Sequence, residues 1–130
     1  MQQYKYKTVL LIDDNHIDNM ISSKLLASQQ YAEEILVMKS PKEAIDFIRE
    51  AFRSGKNIPE VLFLDIRMPG MNGFDFLEEF GKIEGVAEHD VKTYVLSSSL
   101  DPKDYNMIQK NKLISKFIGK PLTPEILSEI

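Results

Sequence analysis

The 130-residue chain contains no cysteine. Disulfides, thiolate nucleophiles and cysteine-based zinc or iron–sulfur centres are therefore excluded. Histidine is scarce as well: His16 and His89 are the only two, and their separation fits no paired zinc-ligand spacing. No apolar run approaches the ~20 residues needed to cross a bilayer. The N-terminal Tyr4-Lys5-Tyr6-Lys7 is not followed by a signal-peptide core, because Val9-Leu10-Leu11-Ile12 ends at once in Asp13-Asp14. A cytoplasmic location is the resulting expectation. Basic excess is missing too: 16 Lys and Arg against 20 Asp and Glu give a formal charge of −4, which speaks against a nucleic-acid surface. What remains is an ordinary globular composition, 28% charged and 43% hydrophobic, of one-domain length spanning residues 1–130.

Five short apolar runs punctuate the chain: Val9–Ile12, Ile35–Met38, Val61–Leu64, Tyr94–Leu96 and Phe117–Ile118. None alternates apolar with polar, the pattern of strands buried on both faces in a parallel sheet. Between them lie segments with helical spacing. Ile17, Met20, Ile21 and Leu25 share one face, as do Ala44, Ile48, Ala51 and Phe52; Phe76, Phe80 and Ile83 form a third stripe. Pro102 to Lys112 is less periodic, with Tyr105 and Ile108 as its expected anchors. Ser40-Pro41-Lys42-Glu43 and Asp101-Pro102-Lys103-Asp104 read as helix starts, and Thr123-Pro124-Glu125 opens a short last helix. Strand–helix alternation repeated five times implies parallel strands with right-handed crossovers, hence a three-layer α/β fold with a (βα)5 sheet covered on both sides.

In open α/β sheets, ligands bind beyond the carboxyl ends of strands. The first strand runs into Asp13 and Asp14, the third into Asp65, the fourth into Ser97-Ser98-Ser99, and the fifth into Lys120-Pro121. Taken singly, each has a bland reading. Asp13-Asp14 suits a turn or a helix cap, Ser97 to Ser99 suits loop chemistry, and Lys120 suits a solvated lysine. Phe117 suits the core, Met68 and Met71 suit packing, and His16 suits a solvated loop. Together, three carboxylates, a hydroxyl and an ammonium on one sheet edge form a constellation. Crowded carboxylates repel, and a divalent cation relieves the repulsion; with oxygen ligands only, Mg²⁺ (or Mn²⁺) is the natural choice. A carboxylate so held can act as a nucleophile toward phosphorus, with Lys120 and Ser97 neutralising the phosphoryl oxygens.

These residues carry a family resemblance. Leu11-Ile12-Asp13-Asp14-Asn15, Leu64-Asp65-Ile66-Arg67-Met68-Pro69-Gly70-Met71-Asn72-Gly73, Leu96-Ser97-Ser98 and Phe117-Ile118-Gly119-Lys120-Pro121 resemble, in order, the motifs of response-regulator receiver domains of the CheY-like type. The resemblance runs from about Val9 to Leu127. It implies a doubly wound, flavodoxin-like sheet of order 2-1-3-4-5. It also implies that Asp65 is the phosphoacceptor, that Asp14 ligates the metal directly, and that Asp13 acts largely through metal-bound water. Arg67 would supply only its backbone carbonyl to the metal. Ser97, which directly follows the apolar run, would be the switch hydroxyl, Lys120 the phosphate-binding lysine with a cis bond to Pro121, and Phe117 the switch aromatic. The family often has Thr in place of Ser97 and Tyr in place of Phe117. Serine keeps the hydroxyl, whereas phenylalanine loses any hydrogen bond made through a phenol.

The implied function is two-component or phosphorelay signalling: a non-enzymatic phosphoacceptor served by a sensor histidine kinase or a histidine phosphotransfer protein. The response would travel through the fourth helix, fifth strand and fifth helix to a downstream protein, and a transient homodimer through the same surface is compatible with this. No nucleic-acid or membrane partner is expected; with no output domain within these 130 residues, the expectation is either a single-domain regulator or a receiver excised from a longer protein. Three other classes compete. An Asp-nucleophile phosphohydrolase of the haloacid-dehalogenase type needs an acid two residues after its nucleophile, where this chain has Arg67. A flavodoxin needs a phosphate cradle after the first strand, where Asp13-Asp14 would repel an anion. A pseudo-receiver working only by protein contact would have no use for the intact acidic set.

Overall fold

A strand that is apolar at every position needs cover on both faces, because successive side chains point to opposite sides of the sheet. The computed structural model, which describes residues 3–66, 68, 71–98 and 102–130, meets that need in every central strand. The elements are β1 (Tyr6–Ile12), α1 (His16–Ser28), β2 (Ala32–Met38), α2 (Pro41–Ser54), β3 (Val61–Asp65), α3 (Gly73–Gly81), a 3-10 turn at Val86–Glu88, β4 (Lys92–Ser97), α4 (Pro102–Lys110), β5 (Lys116–Gly119) and α5 (Pro124–Glu129). The sheet is parallel, with order β2-β1-β3-β4-β5. In β1, Val9 and Leu11 pack with Leu26 of α1 and Leu127 of α5. Leu10 and Ile12 point the other way, onto Ala44 and Ile48 of α2 and Phe76 and Phe80 of α3. A smaller cluster of Ile66, Val95 and Ile108 seats α4, with Phe117 against it.

Helix ends follow local chemistry. The Ser40 hydroxyl accepts from the Glu43 amide, Pro41 occupies the first turn, and Gly55 closes α2 at φ 73°, a left-handed conformation that glycine takes without strain. Thr123 caps α5. The expected cap Asp101 lies outside the described residues. Two helices start with the same pattern. In α3, Asn72 Oδ1 accepts from the Phe74 and Asp75 amides, and Asp75 Oδ2 accepts the Asn72 amide in return at 3.3 Å. In α1, Asn15 Oδ1 accepts from the Asp18 amide at 3.0 Å, but the Asn15 amide donates to Asp13 Oδ1 at 2.9 Å instead.

Three expectations need correction. Most of the α1 stripe does not face the core: Ile17, Met20 and Ile21 are 63%, 42% and 49% exposed, Leu25 alone of the stripe packs, partly buried, against it, and the buried residues are Asn19 and Leu26. The cause is polar. Asn19 Nδ2 donates to the Asp13 carbonyl at 2.7 Å, which pins the first turns of α1 to the end of β1 and rotates the apolar stripe outward. In α4, Ile108 is buried but Tyr105 is half exposed. The second apolar run, read as buried on both faces, belongs to an edge strand that begins earlier, at Ala32, and leaves Val37 40% exposed.

Candidate functional site

Register brings the acids together. Ile12 pairs with Leu64, so the residues that follow, Asp13 and Asp65, emerge side by side at the carboxyl ends of neighbouring strands. Asp13, Asp14 and Asp65 each offer a carboxylate oxygen, and these oxygens lie within 4.8 Å of one another. Asp13 and Asp65 are buried while Asp14 is exposed, so the cluster has a floor and an open rim. Beyond β5, Lys120 extends into it. Its ammonium donates to Asp13 Oδ2 at 2.8 Å, Asp18 Oδ2 at 2.8 Å and Asp65 Oδ2 at 3.4 Å. The backbone amide of Lys120 donates to the Ser97 carbonyl at 3.0 Å, which ties the end of β5 to that of β4. The Lys120–Pro121 peptide is cis.

Electrostatics and burial pull on Lys120 in opposite directions. Burial alone would push its pKa down. The hydrogen bonds to Asp13 and Asp18 and the field of Asp65 outweigh that and hold the ammonium above the usual lysine range.

Ser97 is the buried last residue of β4, whereas Ser98 is exposed; Ser99 lies outside the described residues. Phe117 is half-buried against the cluster of Ile66, Val95 and Ile108. Met68 is core, and His16 is exposed. The carbonyl of Arg67, expected to ligate the metal, lies outside the described residues.

Sequence reasoning missed Asp18, Asn15 and Asn19 as parts of this site. Asn-x-x-Asp is legible as a helix cap. That its acid would meet Lys120, 102 residues away, is not. Asp13 is correspondingly more than a ligand candidate: Oδ1 holds the Asn15 amide, Oδ2 holds Lys120, and its carbonyl holds Asn19.

The donor set is all oxygen, with three carboxylates converging. That fits a hard divalent cation such as Mg²⁺, which binds few carboxylates and keeps waters, and Mn²⁺ accepts the same donors. Among the described residues, no helix is long and apolar enough to cross a membrane.

Comparison with known proteins gives a consistent picture. The sequence model of the response regulator receiver domain matches residues 9–130. A two-component response regulator from Cytophaga hutchinsonii superposes with a TM-score of 0.85 at 31% identity, covering 95% of this chain and 92% of that one. A probable methanogenesis regulatory protein, FilR2, from Methanothrix harundinacea is 24% identical over 92% of this chain and 75% of its own length. A protein-glutamate methylesterase/protein-glutamine glutaminase from Burkholderia thailandensis is 32% identical over 75% of this chain, a match spanning only 26% of that protein.

Proposed function

The chain belongs to the response regulator receiver domain family, the receivers of two-component signalling, and from that membership we propose that Asp65 is its phosphoacceptor. The observation that carries the reading is the meeting of Asp65 with Asp13 and Asp14 within 4.8 Å and with the Lys120 ammonium at 3.4 Å.

An Asp65 carboxylate oxygen attacks the phosphorus of a donor's phosphohistidine. The phosphorus–nitrogen bond breaks, its electron pair stays on the imidazole nitrogen, and an aspartyl phosphate remains. Asp13, Asp14, Asp65 and the backbone carbonyl of Arg67 would hold Mg²⁺ (or Mn²⁺), which when bound offsets the charge gathered at the transferring group. The Lys120 ammonium neutralises a phosphoryl oxygen, and the Ser97 hydroxyl donates to another. As Ser97 moves inward, Phe117 turns into the space it leaves, and the surface of α4, β5 and α5 changes for a downstream protein. The switch works only to the extent that the phosphoryl group binds the active arrangement better than the inactive one. The protein is thus a cytoplasmic signalling phosphoacceptor that supports its own phosphoryl transfer and dephosphorylation.

The donor is a sensor histidine kinase or a histidine phosphotransfer protein. To bring its imidazole to Asp65 it must lie over the first turns of α1, which begin at the site. There Ile17, Met20 and Ile21 are exposed, beside a shallow cleft lined by His16, Met20, Val37 and Lys39. We assign that outward stripe to the donor's surface.

The test uses Mg²⁺ and acetyl phosphate with mass detection. Wild type gains one labile phosphoryl group and Asp65→Asn gains none; equal labelling of the two ends the assignment. Ser97→Ala becomes labelled but loses the conformational response. Ile17→Glu slows transfer from a protein donor while leaving acetyl phosphate labelling intact, and a loss of both would remove the donor surface from α1.

A further inference from the structure

The ammonium of Lys120 has three protons to donate, and three carboxylates take them. The two 2.8 Å contacts go to Asp13 and Asp18, and the 3.4 Å contact goes to Asp65. Asp13 lies among the metal-ligand candidates, but Asp18 stands outside that group and belongs to the first turn of α1.

Asp18 is available for Lys120 because of a displacement in the cap. In an ordinary Asn-x-x-Asp cap the acid turns back to the cap's own amide, as Asp75 does to Asn72 at 3.3 Å. At α1 the corresponding amide, that of Asn15, is already held by Asp13 Oδ1 at 2.9 Å. The Asp18 backbone stays fixed by Asn15 Oδ1, and its carboxylate faces the site. Its side chain is 35% exposed, against 14% for Lys120, so it reaches the ammonium from the solvent side.

We propose that Asp18 is a positioning residue that competes with the phosphoryl group of Asp65 for the ammonium of Lys120. In the unmodified protein Asp18 draws the ammonium toward α1, leaving the longest of its three contacts for Asp65. A phosphoryl group on Asp65 must win that ammonium from Asp18 before it is neutralised. The cap of α1 therefore sets how readily the site accepts and keeps its modification. This rests on the reading of Asp65 as phosphoacceptor.

The experiment titrates wild type, Asp18→Asn and Asp18→Glu with beryllofluoride at saturating Mg²⁺. NMR follows the backbone amides and the Lys120 ammonium, and thermal melts confirm folding. Asp18→Asn should bind beryllofluoride about five-fold more tightly, the size expected when one partly exposed charge-assisted bond stops competing. Its Lys120 ammonium resonance should shift in the unliganded protein. Asp18→Glu, which keeps the carboxylate, should behave as wild type, and saturating Mg²⁺ in every titration keeps any change in metal affinity from producing the gain. Equal or weaker beryllofluoride binding by Asp18→Asn overturns the proposal while leaving Asp65 as phosphoacceptor. So does a gain shared by Asp18→Glu. Absence of any adduct in all three proteins overturns both readings together.

Discussion

Asn15-His16-Ile17-Asp18 and Asn72-Gly73-Phe74-Asp75 are the same helix-start pattern used at two places. At α3 the cap is self-contained, with asparagine and aspartate exchanging bonds. At α1 both ends of the exchange are diverted, the amide to Asp13 and the acid to Lys120. The second residue differs as well. His16 is exposed, while Gly73 is buried with its amide on the Ile66 carbonyl at 3.0 Å. A local motif thus has one meaning at an exposed helix start and another where a cluster of charge lies within reach. Such clusters form where strand ends converge, which in this fold is the functional edge.

The largest effect expected from breaking this comparison is at α3. A Cβ at Gly73 would fall 2.6 Å from Ile66 Cα, a backbone atom that cannot step aside. Gly73→Ala should cost about 3 kcal/mol in urea unfolding, the upper range for overpacking. His16→Ala, at the equivalent place in α1, should stay within ~0.5 kcal/mol. Next comes Lys120→Met, which takes the Lys120 ammonium from the Asp13 and Asp65 carboxylates, 8% and 9% exposed. A loss of about 2 kcal/mol without divalent ions is expected, with recovery on adding Mg²⁺. An unchanged unfolding midpoint would mean the ammonium offsets no repulsion.

Smaller effects sharpen the contrast. Asn15→Ala and Asn72→Ala should each cost about 1 kcal/mol as lost caps, but only Asn15→Ala should also change beryllofluoride affinity, because only its partner acid serves the site. Matched affinity changes in both would show that the two caps are equivalent after all. The smallest effect is in pH. Lys120 holds its proton more tightly folded than unfolded, so its contribution is complete below its ordinary value of 10.5 and fades as pH climbs above it. Tyr31 and Tyr94, both raised chiefly by burial, act in the same alkaline direction. Lys120 is therefore isolated by difference: above that pH, wild type should lose stability faster than Lys120→Met. Parallel curves would show that the ammonium's surroundings stabilise nothing.

Much of the fold could be read from residues in order. Val9–Ile12 and Val61–Leu64 have no polar face to offer water, so each had to be sandwiched, and the clusters on the two sides of the sheet divide them by odd and even position. The stripes of α2 and α3 turned inward as their spacing indicates. Most of the α1 stripe, Leu25 excepted, did not, because Asn19 found the Asp13 carbonyl. Burying a polar group with its partner can outrank burying an apolar stripe, and periodicity records only the stripe. Tyr105 on α4 failed for a related reason: one aromatic in a weakly periodic helix does not say which side meets the sheet.

Sequence alone determined the strand–helix alternation and the run of acids, hydroxyl and lysine at strand ends, because both arise from chemistry within a few residues. Which acids share the lysine was decided only by the folded chain. Lys120 reaches Asp13, Asp18 and Asp65 across separations of 107, 102 and 55 residues. Those meetings depend on sheet order and on how far α1 rotates about its own axis, quantities that no stretch of neighbouring residues encodes.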